Sequence, residues 1–153
     1  NGFDMRKSGG TPLLVGGGVG TPPMAGLCRR LVAEGKSPTV VLGFASREDV
    51  FYEDQFRSLG AEVRVATADG SYGVHGFVTD AMAGIAPSYF YACGPIPMLR
   101  AVSDALPADG QLSFEERMGC GFGACMGCSC QTKYGNKRIC RDGPVLEKGE
   151  VIW

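Results

Sequence analysis

Apolar residues along the chain follow two alternating patterns, short unbroken runs and longer stretches with helical spacing. "TPLLVGGGVG" (11–20) is an apolar run ending in glycines, the signature of a buried strand entering a tight turn. "TPPMAGLCRRLVAEG" (21–35) then opens with prolines suited to a first helical turn. Its Met24, Leu27, Leu31 and Val32 recur at helical spacing, and Gly35 supplies a C-terminal stop. "TVVLGFA" (39–45) predicts a second buried strand, "REDVFYEDQFRSLG" (47–60) a helix closed by glycine, and "AEVRVATADG" (61–70) a third strand running into a loop. "GFVTDAMAGIA" (76–86) predicts a short helix, and "SYFYACGP" (88–95) a fourth strand broken at Gly94-Pro95. "IPMLRAVSDAL" (96–106) predicts a fourth helix and "GQLSFEERM" (110–118) a fifth strand.

Strands alternating with helices imply a parallel sheet covered on both faces. Apolar strands of this length suit such a doubly buried sheet better than an exposed antiparallel one. The expected class is therefore α/β, a five-stranded parallel sheet with helices on both faces. The alternation stops near Met118. From there to Trp153 the chain is rich in Cys and Gly, and "YGNK" between two short runs signals a hairpin. We place a boundary near residue 117. Residues 11–117 read as an α/β nucleotide-binding domain. Residues 118–153 read as a small β-rich module whose apolar core is too thin to hold it alone.

With 153 residues at 44% hydrophobic, the chain buries a real core and does not need cysteines to fold. A net charge of −1 gives no electrostatic footprint for nucleic acid or for an anionic membrane surface. No apolar run reaches transmembrane length, and "NGFDMRKSGG" at the start has no signal-peptide core. The first residue is not Met, which reads as a piece of a longer protein. Without an export signal the expected compartment is the reducing cytoplasm. There, clustered cysteines serve more often as metal ligands or redox groups than as disulfides, and the odd count of seven points the same way.

"VGGGVGTPP" (15–23) joins the first strand to the first helix. A first helical turn leaves free backbone N–H groups at the positive end of the helix dipole. Glycines without Cβ atoms let a pyrophosphate come close to that backbone. Gly16, Gly17, Gly18, Val19, Gly20 and Pro23 are thus candidate nucleotide-binding residues, in a spacing unlike the G-x-G-x-x-G of dehydrogenases. A ligand-free strand–helix turn would use the same glycines. Two further segments favour the nucleotide: "CGPIPM" (93–98) and "TADGSYG" (67–73) follow the fourth and third strands. Ligands in open parallel sheets bind at those carboxyl ends.

Together these segments resemble the NAD(P)-binding domain of the ferredoxin–NADP reductase superfamily. The resemblance implies that the glycine turn holds the pyrophosphate. It also implies that Cys93, Gly94, Pro95 and Met98 lie beside the nicotinamide, and that Thr67, Asp69, Gly70 and Ser71 meet the adenosine ribose. NADP-specific members tend to carry Ser and Arg in that last loop to hold the 2′-phosphate. Here the loop has no Arg, and the Asp69 carboxylate repels a 2′-phosphate while accepting from ribose hydroxyls, so NAD is expected rather than NADP.

"MGCGFGACMGCSC" (118–130) holds four of the seven cysteines. Cys120, Cys125 and Cys128 have the spacing C-x4-C-x2-C, and Cys140 lies beyond eleven further residues. That is the plant-type 2Fe–2S ligand pattern. Zinc sites pair one C-x2-C with another or with histidines, and the only histidine, His75, is far away in sequence. We therefore favour a cluster over zinc or disulfides. Gly121, Gly123 and Gly127 let the loop wrap closely and turn N–H groups toward sulfur. Cys130 reads as a bystander thiol and Cys28 as plain core. Cys93 fits either a core position or a cofactor contact.

With both parts in view, "ERMGCGFGACMGCSC" and "RICRDGPVL" behind such a domain resemble the electron-transfer subunits of NAD-dependent dihydroorotate dehydrogenases. The resemblance implies that residues 1–10 are the tail of an FAD-binding barrel that precedes this chain. It implies a partner, the FMN-containing dihydroorotate dehydrogenase catalytic subunit. Electrons would pass from its FMN through the 2Fe–2S cluster to FAD, and a hydride from FAD to NAD, in pyrimidine biosynthesis. The shorter gap before the fourth cysteine and the extra Cys130 depart from that family's pattern. No catalytic side chain is expected, since one histidine cannot build a Ser–His–Asp or Cys–His constellation and the cofactors carry the chemistry. His75 reads as exposed, Glu48, Asp49, Glu53 and Asp54 as a solvated helix face, and Trp153 as edge packing of the module. Two other classes use the same residues. One is the small subunit of an NADH-dependent ferredoxin:NADP oxidoreductase or a sulfide dehydrogenase. The other is a zinc-stabilised, non-enzymatic module on a nucleotide-binding domain.

Overall fold

The computed structural model describes all 153 residues. Its strands and α-helices alternate: β1 (Leu13–Gly17), α1 (Thr21–Ala33), β2 (Thr39–Phe44), α2 (Glu53–Ser58), β3 (Glu62–Thr67), β4 (Val74–His75), α3 (Val78–Ala81), β5 (Phe90–Gly94), α4 (Ile96–Ala105) and β6 (Gly110–Phe114). The cysteine-rich end adds β7 (Ser129–Thr132), β8 (Gly135–Arg138), α5 (Ile139–Asp142) and β9 (Val145–Glu147). One sheet runs in the order β4-β3-β2-β1-β5-β6-β9, and β7 with β8 forms a separate hairpin.

The five expected parallel strands are all present, and two more extend them. Two-residue β4 pairs with Ala66 and Thr67 at one edge, and β9 joins β6 antiparallel at the other. Neither carries enough residues to show a period of its own. Side-chain parity sorts the core into two layers. Leu13 and Val15 face α3 and α4, through Ala81, Leu99 and Val102. Leu14 faces α1 and α2, through Met24, Leu31 and Phe56. Cys128 and Ile139 are buried in the first of these layers, so the cysteine module packs on the α4 face.

The helix expected over 47–60 is shorter. Arg47–Asp49 form a single 3-10 turn, closed by Asp49 accepting from the Ser46 amide and hydroxyl. The backbone then extends at Val50, and Phe51 packs edge-on against Phe44 at 5.4 Å. Helix α2 begins only after Tyr52, which sits in the left-handed region at φ 67°. The helix expected over 76–86 is likewise one turn, with Gly84 at φ 77° beyond it. The N-terminal segment is tied down: Phe3 packs on Tyr91 at 5.4 Å, and the Tyr91 hydroxyl donates to the Asp4 carbonyl at 2.9 Å.

Candidate nucleotide and cluster sites

The strand order reverses at β1. Strands β2 and β3 lie to one side, β5 and β6 to the other, and the crevice outside the carboxyl ends of such a switch point is where open α/β sheets bind ligands. Gly16 and Cys93 are register partners at that point. Gly18–Gly20 turn the chain into α1, and Gly18 takes φ +51° over open space. A Cβ on Gly20 would collide with the Cys93 carbonyl oxygen. Half-buried Met98 fills the gap between the two turns, in the space that side chains on Gly17 or Gly94 would need. Val19 stands 75% exposed at the tip, and Pro23 is exposed in the first turn of α1. Gly16, Gly17, Gly18, Val19, Gly20, Cys93, Gly94, Pro95 and Met98 are thus brought together around one crevice. The Cys93 thiol is buried, and burial pushes its pKa up against a hydrogen bond from Ser113.

One residue escaped the sequence reading. Thr21, fully buried in the first turn of α1, has a hydroxyl with no hydrogen-bond partner. An orphaned buried hydroxyl costs about 1–3 kcal/mol. Its place beneath the glycine turn fits a site that an oxygen-rich ligand completes.

The loop after β3 is held by its own side chains. Thr67 is fully buried, and its hydroxyl donates to the Tyr72 carbonyl at 2.7 Å and accepts from the Tyr72 amide at 3.1 Å. It closes the loop, and its one hydroxyl proton is committed to that carbonyl. Asp69 is exposed; the Ser71 hydroxyl and amide hold its carboxyl below the usual range, at 2.6 and 3.0 Å. Gly70 makes the turn at φ 72°. The loop carries no arginine of its own, but the fold brings one to it. The Arg47 amide donates to Ser71 Oγ at 2.8 Å, and its guanidinium lies 5.5 Å from the centre of the Tyr72 ring. Spacing concealed this, because a regular helix over 47–60 would have placed Arg47 differently. The acidic residues there are not all idle either: Glu53 accepts from Arg57 and from the Tyr72 hydroxyl.

The four candidate thiols form two pairs. Ala124 donates its amide to Cys120 Sγ at 3.3 Å, and amides of Cys125 and Phe122 help lower the Cys120 thiol to about 6. The Cys125 side chain lowers it further. Cys125 Sγ also lies 3.5 Å from where side chains on Gly119 and Gly127 would begin. In the second pair the Cys140 amide donates to Cys128 Sγ at 3.4 Å and lowers that thiol, while Cys128 raises Cys140. Cys140 also feels Cys120, which links the pairs. No three acidic, histidine or cysteine side chains converge as closely as a single ion requires. Two linked thiol pairs with amides aimed at sulfur suit a two-iron cluster, which takes two thiolates per iron and is tuned by N–H···S bonds. Cys130 stands apart on β7, partly buried, its thiol raised by burial, Glu116 and Glu150. Cys28 is core, and burial pushes it up to about 11. His75 is exposed on β4, and Trp153 stacks on Phe114 with ring centres 5.9 Å apart.

Comparison with known proteins matches residues 14–104 to the oxidoreductase NAD-binding domain. It matches residues 115–152 to the iron–sulfur cluster binding domain of dihydroorotate dehydrogenase B. The chain is 49% identical over 160 residues to the dihydroorotate dehydrogenase B (NAD(+)) electron transfer subunit of Lysinibacillus sphaericus, across 99% of this chain and 62% of that one. It is 50% identical over 157 residues to the same-named subunit of Shouchella clausii, across 98% of this chain and 60% of that one. The chain therefore spans about three fifths of the length of these relatives. Among solved structures it is similar to the NADH-dependent reduced ferredoxin-NADP oxidoreductase, with a TM-score of 0.82 at 30% identity, over 96% of this chain and 55% of that one.

Proposed function

The chain belongs to the oxidoreductase NAD-binding domain family and carries behind it the iron–sulfur cluster binding domain of dihydroorotate dehydrogenase B, and from that premise we propose that it is the NAD- and cluster-binding part of an electron-transfer subunit. The subunit takes electrons from a partner, the FMN-containing catalytic subunit that oxidises dihydroorotate, and delivers them to NAD in the cytoplasm. FAD belongs to the length of the relatives that this chain does not span. The observation that carries the assignment is the C-x4-C-x2-C spacing of Cys120, Cys125 and Cys128 with Cys140 behind it, together with backbone amides that donate to Cys120 Sγ and Cys128 Sγ.

Those four cysteines hold the 2Fe–2S cluster. When bound, the cluster supplies one-electron transfer and the nicotinamide accepts a hydride. The chain's part is to bind and orient. Amides of Ala124 and Cys140 already point at sulfur, which stabilises thiolates. The glycine turn and the first N–H groups of α1 receive the pyrophosphate. The Cys93–Pro95 turn and Met98 flank the nicotinamide. Asp69 accepts from the adenosine ribose. Met118, Phe122 and Met126, exposed beside the cysteines, offer the partner an apolar docking surface close to the cluster.

A second assignment, the small subunit of a related flavin and iron–sulfur oxidoreductase, is supported by the close structural likeness to the NADH-dependent enzyme. The partner separates the two. An anaerobic iron and acid-labile sulfide assay, with a low-temperature EPR spectrum after reduction, tests the cluster. Iron and sulfide in equal amounts with a reduced 2Fe–2S signal is expected. Zinc alone, persisting through attempted reconstitution, would leave a structural knuckle and remove the electron path. Dihydroorotate-dependent NAD reduction by the reassembled complex then decides between the partners.

A further inference from the structure

We propose that Arg138 is a positioning residue for the 2Fe–2S cluster: its guanidinium ties the loop that carries Cys120 and Cys125 to the helix that carries Cys140. The proposal rests on the reading of these cysteines as cluster ligands and adds the residue that sets their spacing and the charge beside them.

Three ligands, Cys120, Cys125 and Cys128, lie on the loop before β7, and the fourth, Cys140, lies on α5. Loop and helix must keep a fixed spacing to share one cluster. At the Cys128 end the backbone does this. The Ile139 amide donates to the Cys128 carbonyl at 3.0 Å and the Cys140 amide to Cys128 Sγ at 3.4 Å, and both Cys128 and Ile139 are buried. The stretch 118–125 has no such pairing. One hydrogen bond leaves it for the rest of the chain: Arg138 Nη1 donates at 3.0 Å to the carbonyl of Gly123, which lies between Cys120 and Cys125.

The guanidinium is itself fixed. Asp142 Oδ2 accepts from the Arg138 amide at 2.8 Å and from Arg138 Nε at 3.4 Å, and the Arg138 side chain is 25% exposed. A rigid fork thus meets a carboxylate on α5 with one edge and the loop carbonyl with another. Gly123 fits into this grip. It is buried at φ +92°, and a Cβ there would lie 3.1 Å from Arg141 Cδ and 3.4 Å from Arg138 Cδ. Arg141 plays a different part: its side chain is 60% exposed, and it meets Gly123 with its aliphatic stem alone. A guanidinium fixed beside the cluster also favours the reduced form, which carries one more negative charge.

Two measurements on the iron- and sulfide-loaded chain test this: the rate at which EDTA bleaches the visible spectrum, and the reduction potential from an EPR-monitored titration. Arg138→Ala should bleach about ten- to a hundredfold faster than the parent and have a lower potential. Arg138→Lys keeps the charge but not the fork, so its potential should return close to the parent's while bleaching stays faster. Arg141→Met keeps the stem and should retain its cluster as the parent does. Amide exchange in β1 to β6 checks that each variant is folded, and Arg138→Lys carries the test if Arg138→Ala is not. Arg138 variants that match the parent in both rate and potential would overturn the proposal and leave the cluster standing. Arg141→Met bleaching as fast as Arg138→Ala would overturn it too, since any nearby cation would then serve. A parent chain that takes up zinc and no iron would fail the cluster reading itself, and the role of Arg138 with it.

Discussion

The glycine turn at 16–20 and the cysteine loop at 119–127 use one residue type in opposite ways. In the turn, glycine lets other groups press onto the backbone: the Cys93 carbonyl against Gly20 and Met98 against Gly17. Behind it Leu13, Leu14 and Val15 are completely buried. In the loop, glycine bends the chain: Gly121 and Gly123 take φ 74° and 92°, and a side chain on Gly121 would meet open space. Between 119 and 127 only Gly123 is buried. Packing therefore preforms the first site. The second is held by its thiols and by the anchors of Cys128 and Ile139 in the α4 layer.

The largest test of that difference removes one thiol. Metal binding is folding energy for a loop with so little buried surface. Cys125→Ser should bleach the visible spectrum and make the amides of 118–142 exchange rapidly, while β1 to β6 stay protected. Hydrogen exchange followed by mass spectrometry reads both regions in one experiment. A variant that keeps its spectrum, or one whose sheet exchanges as fast as the loop, would break the comparison.

How much of this was legible in the sequence follows from the same contrast. Leu13–Val15, Val40–Leu42 and Phe90–Ala92 showed their strands because burial on both sheet faces leaves unbroken apolar runs. The cysteine spacing from Cys120 to Cys140 is local in the chain, so the sequence displays it without the fold. Three things were not legible. Strand β9 pairs with β6 through contacts more than thirty residues apart in the chain. Arg47 reaches Ser71 only because Ser46 and Asp49 close a turn where apolar spacing predicts a helix. The Thr67 hydroxyl donates to the Tyr72 carbonyl, a loop-closing contact that spacing does not reveal. Periodicity reports burial; it does not report which side chain a turn carries to a neighbouring loop.

A smaller effect sharpens the packed side. Thr21→Val removes the orphaned hydroxyl and keeps the shape, so the variant should gain about 1 kcal/mol. If the hydroxyl finds its partner in bound nucleotide, NAD should bind several-fold more weakly to this more stable protein. Thermal melts with and without NAD report both signs. A variant that is less stable than the parent would mean that the hydroxyl serves the fold and not the ligand.

The smallest effect lies at the seam between the two regions. Glu147 on β9 accepts from Lys7 at 2.8 Å, the Gln111 amide at 2.7 Å and the Tyr89 hydroxyl at 2.9 Å, joining the N-terminal segment, the sheet and the module's last strand. Burial pushes its carboxyl up, but the hydrogen bonds from Lys7, Gln111 and Tyr89 outweigh it, and the net shift is downward. A carboxyl lowered in the folded state binds its proton more weakly there than in the unfolded chain. Its stabilisation is complete above the unfolded value of about 4.3 and is lost as pH falls through the lower folded value. With the side chain 40% exposed, solvent screens the interaction, and the contribution should be about 1 kcal/mol or less. Glu147→Gln should therefore cost little at pH 7 and flatten the acid limb of the stability curve relative to the parent. The flattening belongs to the seam if Lys7→Met, which removes one donor from outside the sheet, reproduces part of it. If both variants keep the parent's acid slope, Glu147 has no part in the pH dependence of the module's attachment to the sheet.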